Sequence, residues 1–285
     1  MAGAGLIGIK RRIKSVTNIR KITKAMGLVA TAKLRKARVS LEIDKNHYNQ
    51  YQLVMNDVVN SIEEKNLYVD GNKSKKKLYV ILTSDSGLCG SFNASVINTS
   101  IDEINKDKDN AEVIVVGQKG RAYLKKLGVK TISEYVDMPN VPTIKEGRTI
   151  TDNIINLYEA NKVGEVYVVY SEFYSAVKQI VKTEKILPIE RKKEKVSSND
   201  PYVEISPESD KFLKVCMNNY IKANIMNFLF NSKASEHGSR MTAMNGSTDN
   251  ANDLLDKLTL KFNRLRQSAI TQEISEIVGG AEAQK

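Results

Sequence analysis

The sequence predicts an α/β fold joined to a long antiparallel α-helical coiled coil: a doubly wound, mostly parallel sheet inserted between two terminal helices. Three observations carry that expectation. Residues 7–65 contain no proline and repeat apolar residues at helical steps; the residues after Pro207 do the same; the stretch between them alternates short β-rich runs with amphipathic segments.

In the first part, Ile9, Ile13, Val16, Thr23, Met26, Ala30, Leu34, Ala37 and Leu41 fall on one helical stripe. A helix of that length, about 80 Å at 1.5 Å per residue, exceeds the width of a small domain and needs a partner along its side. The last part supplies it. Ser206, Pro207 and Glu208 form a helix start with proline in the first turn. Apolar positions follow, with heptad-like steps clearest from Leu255 through Leu258, Phe262 and Leu265 to Ala269. Asn245, Gly246 and Ser247 interrupt them, the glycine alone lowering helix propensity by about 1 kcal/mol, so a kink or a partner contact is expected there.

Between the helices, LYVIL at 78–82, VIVVG at 113–117, VYVVY at 166–170 and the run from Val177 to Leu187 read as strands. The last alternates polar and apolar residues and belongs at a sheet edge. Residues 94–105, 119–127 and 144–161 read as the intervening helices, and this alternation implies parallel strands covered on both faces. The expected division is 1–72 for the first helix, 73–206 for the α/β domain and 207–285 for the second helix. The connection between the helices returns through one compact domain, so they run antiparallel.

With 285 residues, 41% hydrophobic and 27% charged, the chain buries a core, and a formal charge of +11 favours an acidic partner. No apolar run is long enough to span a bilayer or serve as a signal peptide, so a cytosolic location and no direct membrane insertion are expected. Cys89 and Cys216 lie far apart, as do His47 and His237, which predicts no disulfide, no metal site and no cofactor.

Twelve bases between Lys10 and Lys45 are answered only by Glu42 and Asp44. Such a helix is a solvated face beside a coiled-coil seam, a surface for acidic proteins, or a nucleic-acid reader. The last class usually adds aromatic residues for base stacking, and none precedes Tyr48. The loop TSDSGLCGSFN, directly after the first strand, raises a second alternative, a nucleotide-binding α/β enzyme. A phosphate-binding loop of the G-x-x-x-x-G-K-[ST] type needs a lysine after its second glycine. Here Ser91 and Phe92 follow Gly90, and no lysine occurs before Lys106. The glycines read first as a tight strand-to-helix turn, and no catalytic residue is assigned.

Three stretches carry a resemblance: RIKSVTNIRKITKAMGLVATAKLRKA near the start, TSDSGLCGSFN in the middle, and ASEHGSRMTAMNGSTDNA with ITQEISEIVGGAEA at the end. Together they resemble the gamma subunit of the F-type ATP synthase, in the right order and over the whole chain. Ile270, Thr271, Glu273, Glu276, Gly280 and Ala281 fit the family's C-terminal signature. Gly27 and Gly238 stand where the family more often has a charged residue or alanine, and Ser86 where a basic residue is common. No chloroplast-type regulatory insertion is present, which favours a bacterial form.

The resemblance implies a central rotor shaft that couples ion-driven c-ring rotation to conformational cycling of catalytic beta subunits. The implied partners are the alpha and beta subunits of the ring, the epsilon subunit and the membrane c-ring, with no nucleic acid. The implied location is the cytoplasmic face of the bacterial plasma membrane, peripheral through the complex. Carried over by position, Lys21, Lys24, Lys33, Arg35 and Lys36, with Met26 and Val29 beside them, are expected ring contacts. Arg264, Gln267, Thr271 and Glu273 form a polar catch, and Ile270, Ile274, Ile277 and Val278 a tip bearing. Ser84, Asp85, Gly87, Cys89 and Gly90 are expected along an exposed loop edge that touches a beta subunit.

Overall fold

The computed structural model describes residues 2–62, 65–191 and 209–282. Helix α1 spans Ala2–Asn60 and α6 spans Ser209–Glu282. Between them come α2 (Leu67–Asp70), β1 (Lys77–Leu82), α3 (Phe92–Asn105), β2 (Ala111–Val116), α4 (Gln118–Lys126), β3 (Ser133–Tyr135), α5 (Ile144–Glu159), β4 (Glu165–Phe173) and β5 (Gln179–Leu187). The expected helix start at Ser206, Pro207 and Glu208 lies outside the described residues.

The chain divides into two compact units, residues 30–240 and residues 1–29 with 241–285. In the larger unit the strand order is β3-β2-β1-β4-β5, with every pairing parallel except β4 with β5. The polar-faced run from Val177 therefore sits at the edge, as its alternation predicts. There Lys182 pairs with Glu172 at 2.8 Å and Lys185 with Glu165 at 3.0 Å across the two strands. The three-residue β3 at the other edge has too few residues for any period to mark it.

Alternation along β1 assigns the two faces. Leu78, Val80 and Leu82 join a core with Met55 and Val58 of α1, Ile150 and Ile154 of α5, and Met217, Ile221 and Ile225 of α6. Tyr79 and Ile81 join the opposite core, against Val96, Ile97 and Ile104 of α3 and Leu124 of α4. Sheet residues point alternately to either side, so both faces are covered, as in a doubly wound sheet. Close approach is built in at Gly120: a Cβ there would collide with Thr83 Oγ1 and lie 2.8 Å from Val115. The missing side chain lets the Gly120 amide donate to Thr83 Oγ1 at 3.0 Å, which seats α4 on the strand ends.

In the smaller unit, α1 and α6 pair side by side. Ile13 and Val16 pack with Ala251, Leu255 and Leu258. Arg20 Nη1 donates to Asn252 Oδ1 at 3.4 Å, and the Thr23 and Thr248 hydroxyls lie 2.8 Å apart. A Cβ on Gly27 would lie 2.9 Å from Asn245 Oδ1. Partner numbers fall as α1 numbers rise, which makes the pair antiparallel, with each pair of numbers summing to 271 or 272. The buried or half-buried α1 residues here include 6, 9, 13, 16, 20, 23 and 27, alternating steps of three and four, with Thr17 and Met26 half-buried beside them. That is the period of a left-handed coiled-coil seam.

At Asn245, Gly246 and Ser247 α6 continues as helix, and of the two expected outcomes the partner contact is the one found. The Asn245 side chain lies over Gly27, whose lack of a Cβ makes room for it. Gly238, in the larger unit, serves a similar purpose: a Cβ there would meet the Phe173 ring at 3.3 Å and the Ala176 backbone at 3.5 Å.

Candidate functional site

The loop after β1 is fastened on three sides. At its base, the Ser84 amide donates to Asn93 Oδ1 at 3.0 Å, and Asn93 Nδ2 donates to Ser84 Oγ at 2.8 Å and to Cys89 Sγ at 3.2 Å. Toward the sheet, the Asp85 carboxylate accepts from the amides of Gln118 at 3.0 Å and of Asp137 and Met138 at 2.9 Å. It thereby caps the start of α4, where a carboxylate meets unpaired amides and the positive helix end. Toward α6, Arg240 and Ser239 take the loop's carbonyls, with Arg240 Nη2 donating to Ser86 O at 3.0 Å and to Ser86 Oγ at 2.9 Å. Arg240 Nε donates to Gly87 O at 3.2 Å and Ser239 Oγ to Cys89 O at 2.7 Å.

This geometry corrects the expected exposed edge from Ser84 to Gly90. Ser84 and Cys89 are buried, at 0% and 2% exposure, because both belong to the Asn93 network. Asp85 and Gly87 are half-buried, and Ser86 and Gly90 are exposed. Leu88, inside the expected range but not singled out in it, is 60% exposed with φ +60°. Nor does the loop resemble a phosphate cradle, which turns amide donors toward its ligand. Here the carbonyls of residues 86, 87 and 89 are the groups held, and an arginine and a serine of α6 hold them.

Behind the loop is a charge cluster on α6. Glu236 pairs with Lys233 at 3.1 Å and with Arg240 at 2.9 Å, and all three side chains are under 10% exposed. Burial pushes the Glu236 carboxyl up, but Lys233, Arg240 and His237 outweigh it and hold it below its ordinary value. His237 is 1% exposed, with Nδ1 at 3.1 Å from Arg240 Nη1 and Nε2 without a partner among the described residues. Burial pushes the imidazole down from 6.5 to about 4; Glu236 pulls it up, while Arg240, Lys233 and Lys33 reinforce the fall.

A pH dependence follows. Below pH 6.5 the unfolded chain takes up a proton that the folded histidine refuses until about pH 4. Stability is therefore full above the unfolded value and falls as pH drops through this window, by at most about 3 kcal/mol. Acid loss through Glu236 begins as pH falls through the ordinary carboxylate value near 4.5, where the unfolded chain takes up its proton, so it does not overlap the upper part of the window. Urea unfolding of the His237→Gln variant should show a flatter stability profile than the parent near pH 5–6. An equal slope would remove His237 from that role.

Sequence reasoning missed Arg240, Glu236, Lys233 and Ser239. From Asn231 to Arg240 the chain is polar except for Ala234 and Gly238, which reads as a solvated face. One signal was present: Glu236 has Lys233 three residues before it and Arg240 four after, the spacings at which helix side chains meet.

Of the expected ring contacts, Lys21, Lys24, Arg35 and Lys36 are exposed, as is Val29, while Met26 and Lys33 are half-buried. Lys33 differs from the others in that His237 feels its charge. On α6, Arg264, Gln267 and Thr271 line one shallow, open depression with Ser268 and Gln272, and Glu273 is exposed nearby. Ile270, Ile274, Ile277 and Val278 are 48–68% exposed. The antiparallel register explains why: it sets Ala2 of α1 level with residues 269–270 of α6, and these apolar residues lie at or beyond that level.

Paired long helices joined to an α/β unit, with basic and apolar side chains left bare along them, define a subunit built to sit inside a larger assembly. The ATP synthase family profile matches residues 5–284. The ATP synthase gamma chain of Clostridium botulinum strain 657 is 66% identical over 285 residues, covering 100% of both chains. That of Clostridium acetobutylicum is 54% identical, again covering 100% of each. Among solved structures, a chain of the Tetrahymena thermophila mitochondrial ATP synthase central stalk and c-ring covers 79% of this chain and 98% of its own length. Its TM-score is 0.62 at 25% identity. A chain of the Euglena gracilis mitochondrial ATP synthase shares the fold over 99% of this chain and 95% of its own, with TM-score 0.73 at 16% identity.

The chain belongs to the ATP synthase gamma-chain family. It is a non-catalytic subunit, and neither the nucleotide-binding enzyme nor the nucleic-acid-binding alternative is supported.

Proposed function

We propose that this chain is the turning central stalk of its ATP synthase, with paired α1 and α6 inside a ring of alpha and beta subunits and the α/β unit toward epsilon and the c-ring. The observation that carries the reading is full-length identity of 66% to a gamma chain. The antiparallel helix pair with a bare apolar end on α6 supports it. An asymmetric shaft cannot meet three equivalent beta subunits in the same way. Its contacts therefore favour different conformations at each, and turning it exchanges their nucleotide affinities by population shift.

In this reading Lys21, Lys24, Met26, Lys33, Arg35 and Lys36 face the ring. Arg264, Gln267, Thr271 and Glu273 form the catch, and Ile270, Ile274, Ile277 and Val278 the bearing. The loop touches the underside of a beta subunit through Leu88, Ser86 and Gly90, with Asp85, Gly87, Ser84 and Cys89 as its support. Domain boundaries at 72/73 and 206/207 separate the shaft helices from the foot along the chain. No described helix is long and apolar enough to cross a membrane. Attachment is through the complex, at the cytoplasmic face of a bacterial plasma membrane.

The test is reconstitution. The chain should co-purify with alpha and beta subunits and restore coupled turnover to membranes lacking their own gamma chain, whereas the isolated chain should bind no ATP at micromolar concentration. Failure to assemble with the ring would overturn the reading.

A further inference from the structure

We propose that Arg240 is a positioning residue of the rotor: its guanidinium fastens the backbone of the loop after β1 to α6, so the tip at Leu88 travels as a rigid projection of that helix. The inference rests on the reading of the loop as a ring contact.

The arginine fork is fully occupied. Nε and Nη2 hold the carbonyls of Gly87 and Ser86 together with the Ser86 hydroxyl, and Nη1 is held by Glu236 at 2.9 Å. Ser239, the preceding residue, takes the carbonyl of Cys89 at 2.7 Å. Two neighbouring residues of α6 thus hold three of the four carbonyls from Ser86 to Cys89. Leu88 stands at the apex, in the left-handed region that a leucine rarely adopts, and it keeps that conformation because the flanking backbone is held.

The fastening also reaches the sheet. On the same helix, Ser235 Oγ donates to Ser171 O at 2.9 Å and Asn231 Oδ1 accepts from the Phe173 amide at 3.2 Å. Residues 231, 235 and 239 recur every four positions, a stripe on α6 that binds the ends of β4 and the loop after β1. Asp85 ties that loop to α4 in turn. A twist applied to α6 is therefore handed to the loop through short polar bonds rather than through an adaptable apolar contact.

Geometry, not charge, is what this role requires. Lysine at 240 keeps a cation beside Glu236 but has one nitrogen and no planar fork, so it cannot also hold the two loop carbonyls. Cys89 supplies a native reporter, since its thiol is buried by the same loop. In full-length chain carrying Cys216→Ser, Arg240→Lys should raise the rate of Cys89 labelling by a maleimide about tenfold, with helical content unchanged. Ser239→Ala should give a smaller rise and serves if the lysine variant folds poorly. In the membrane-bound complex, Arg240→Lys should lower ion pumping per ATP hydrolysed while hydrolysis continues, as should Leu88→Asp.

Unchanged labelling in the folded variants overturns the fastening, whatever becomes of the loop contact. Raised labelling with coupling lost in Leu88→Asp but intact in Arg240→Lys overturns the positioning role alone. Intact coupling in both overturns the ring-contact reading of the loop and the role that rests on it.

Discussion

Replacing Glu236 by alanine is expected to destabilise the protein by about 3–5 kcal/mol, because it strips the anion from between two buried cations. Both carboxylate oxygens are in use, Oε2 on Lys233 at 3.1 Å and Oε1 on Arg240 at 2.9 Å, and the three side chains are 5–9% exposed. Water cannot replace the lost charge. An exposed pair of this kind is worth at most about 1 kcal/mol, and burial is what makes the difference. Since domains are stable by about 5–15 kcal/mol in total, the loss is about a fifth or more of what a domain commonly has.

The pattern across variants separates charge from packing. Glu236→Gln keeps the shape and one acceptor, so it should cost less than alanine but still more than a surface change. Lys233→Met combined with Glu236→Gln leaves one buried cation where the single variant leaves two, and should recover part of the loss. Urea-unfolding midpoints of the three variants measure this directly. If Glu236→Ala unfolds within about 0.5 kcal/mol of the parent, as surface substitutions do, the cluster contributes nothing of the kind described.

How such a cluster escaped sequence reasoning is instructive about the fold as a whole. The sheet was legible because β1, β2 and β4 are near-continuous apolar runs and β5 alternates, signals that depend on the chain alone. The helices were legible in extent for the same reason, proline-free and periodic. Their register was not, because the seam in the smaller unit includes Arg20 and Gly27 as well as the residues of the stripe. A hydrophobic reading chose Met26, whereas the buried position is Gly27, set by the Asn245 side chain that lies over it.

The candidate site divides along the same line. Cations such as Lys21 and Lys24 need no partner within the chain, and their exposure could be expected from sequence. Arg240 could not, since its importance comes from the Ser86 and Gly87 carbonyls, more than 150 residues away in sequence. Ser84 and Cys89 failed as exposed contacts for the complementary reason. Small polar residues beside glycines look like surface, yet Asn93, the second residue of α3, draws both inward.

The second large effect is expected on coupling and not on folding. Lys21, Lys24 and Lys36 are exposed on α1, so replacing all three by glutamate removes no buried contact, and each change should alter stability by no more than about 0.5 kcal/mol. Lys33 is left in place because His237 feels its charge, and an acid there would disturb the buried cluster. The triple variant shifts the net charge from +11 to +5, two units per position. Moving a beta subunit from mostly open to mostly closed takes about 5.5 kcal/mol of differential interaction. One exposed ion pair supplies at most about 1 kcal/mol, so single replacements should reduce ion-driven ATP synthesis only slightly. Reversing three charges against an acidic partner removes three attractions and adds three repulsions, about 2–4 kcal/mol together, or about 30-fold and more in the orientation bias. Synthesis by vesicles carrying the assembled complex should fall by that order while the chain still assembles with its ring. Raising salt should weaken coupling in the parent, since the Debye length is only about 10 Å at 0.1 M. Glutamates at Lys125, Lys126 and Lys130, exposed on and just after α4, change net charge equally and should leave synthesis intact. Equal losses from both triple variants would assign the effect to overall charge and remove the α1 lysines as specific contacts.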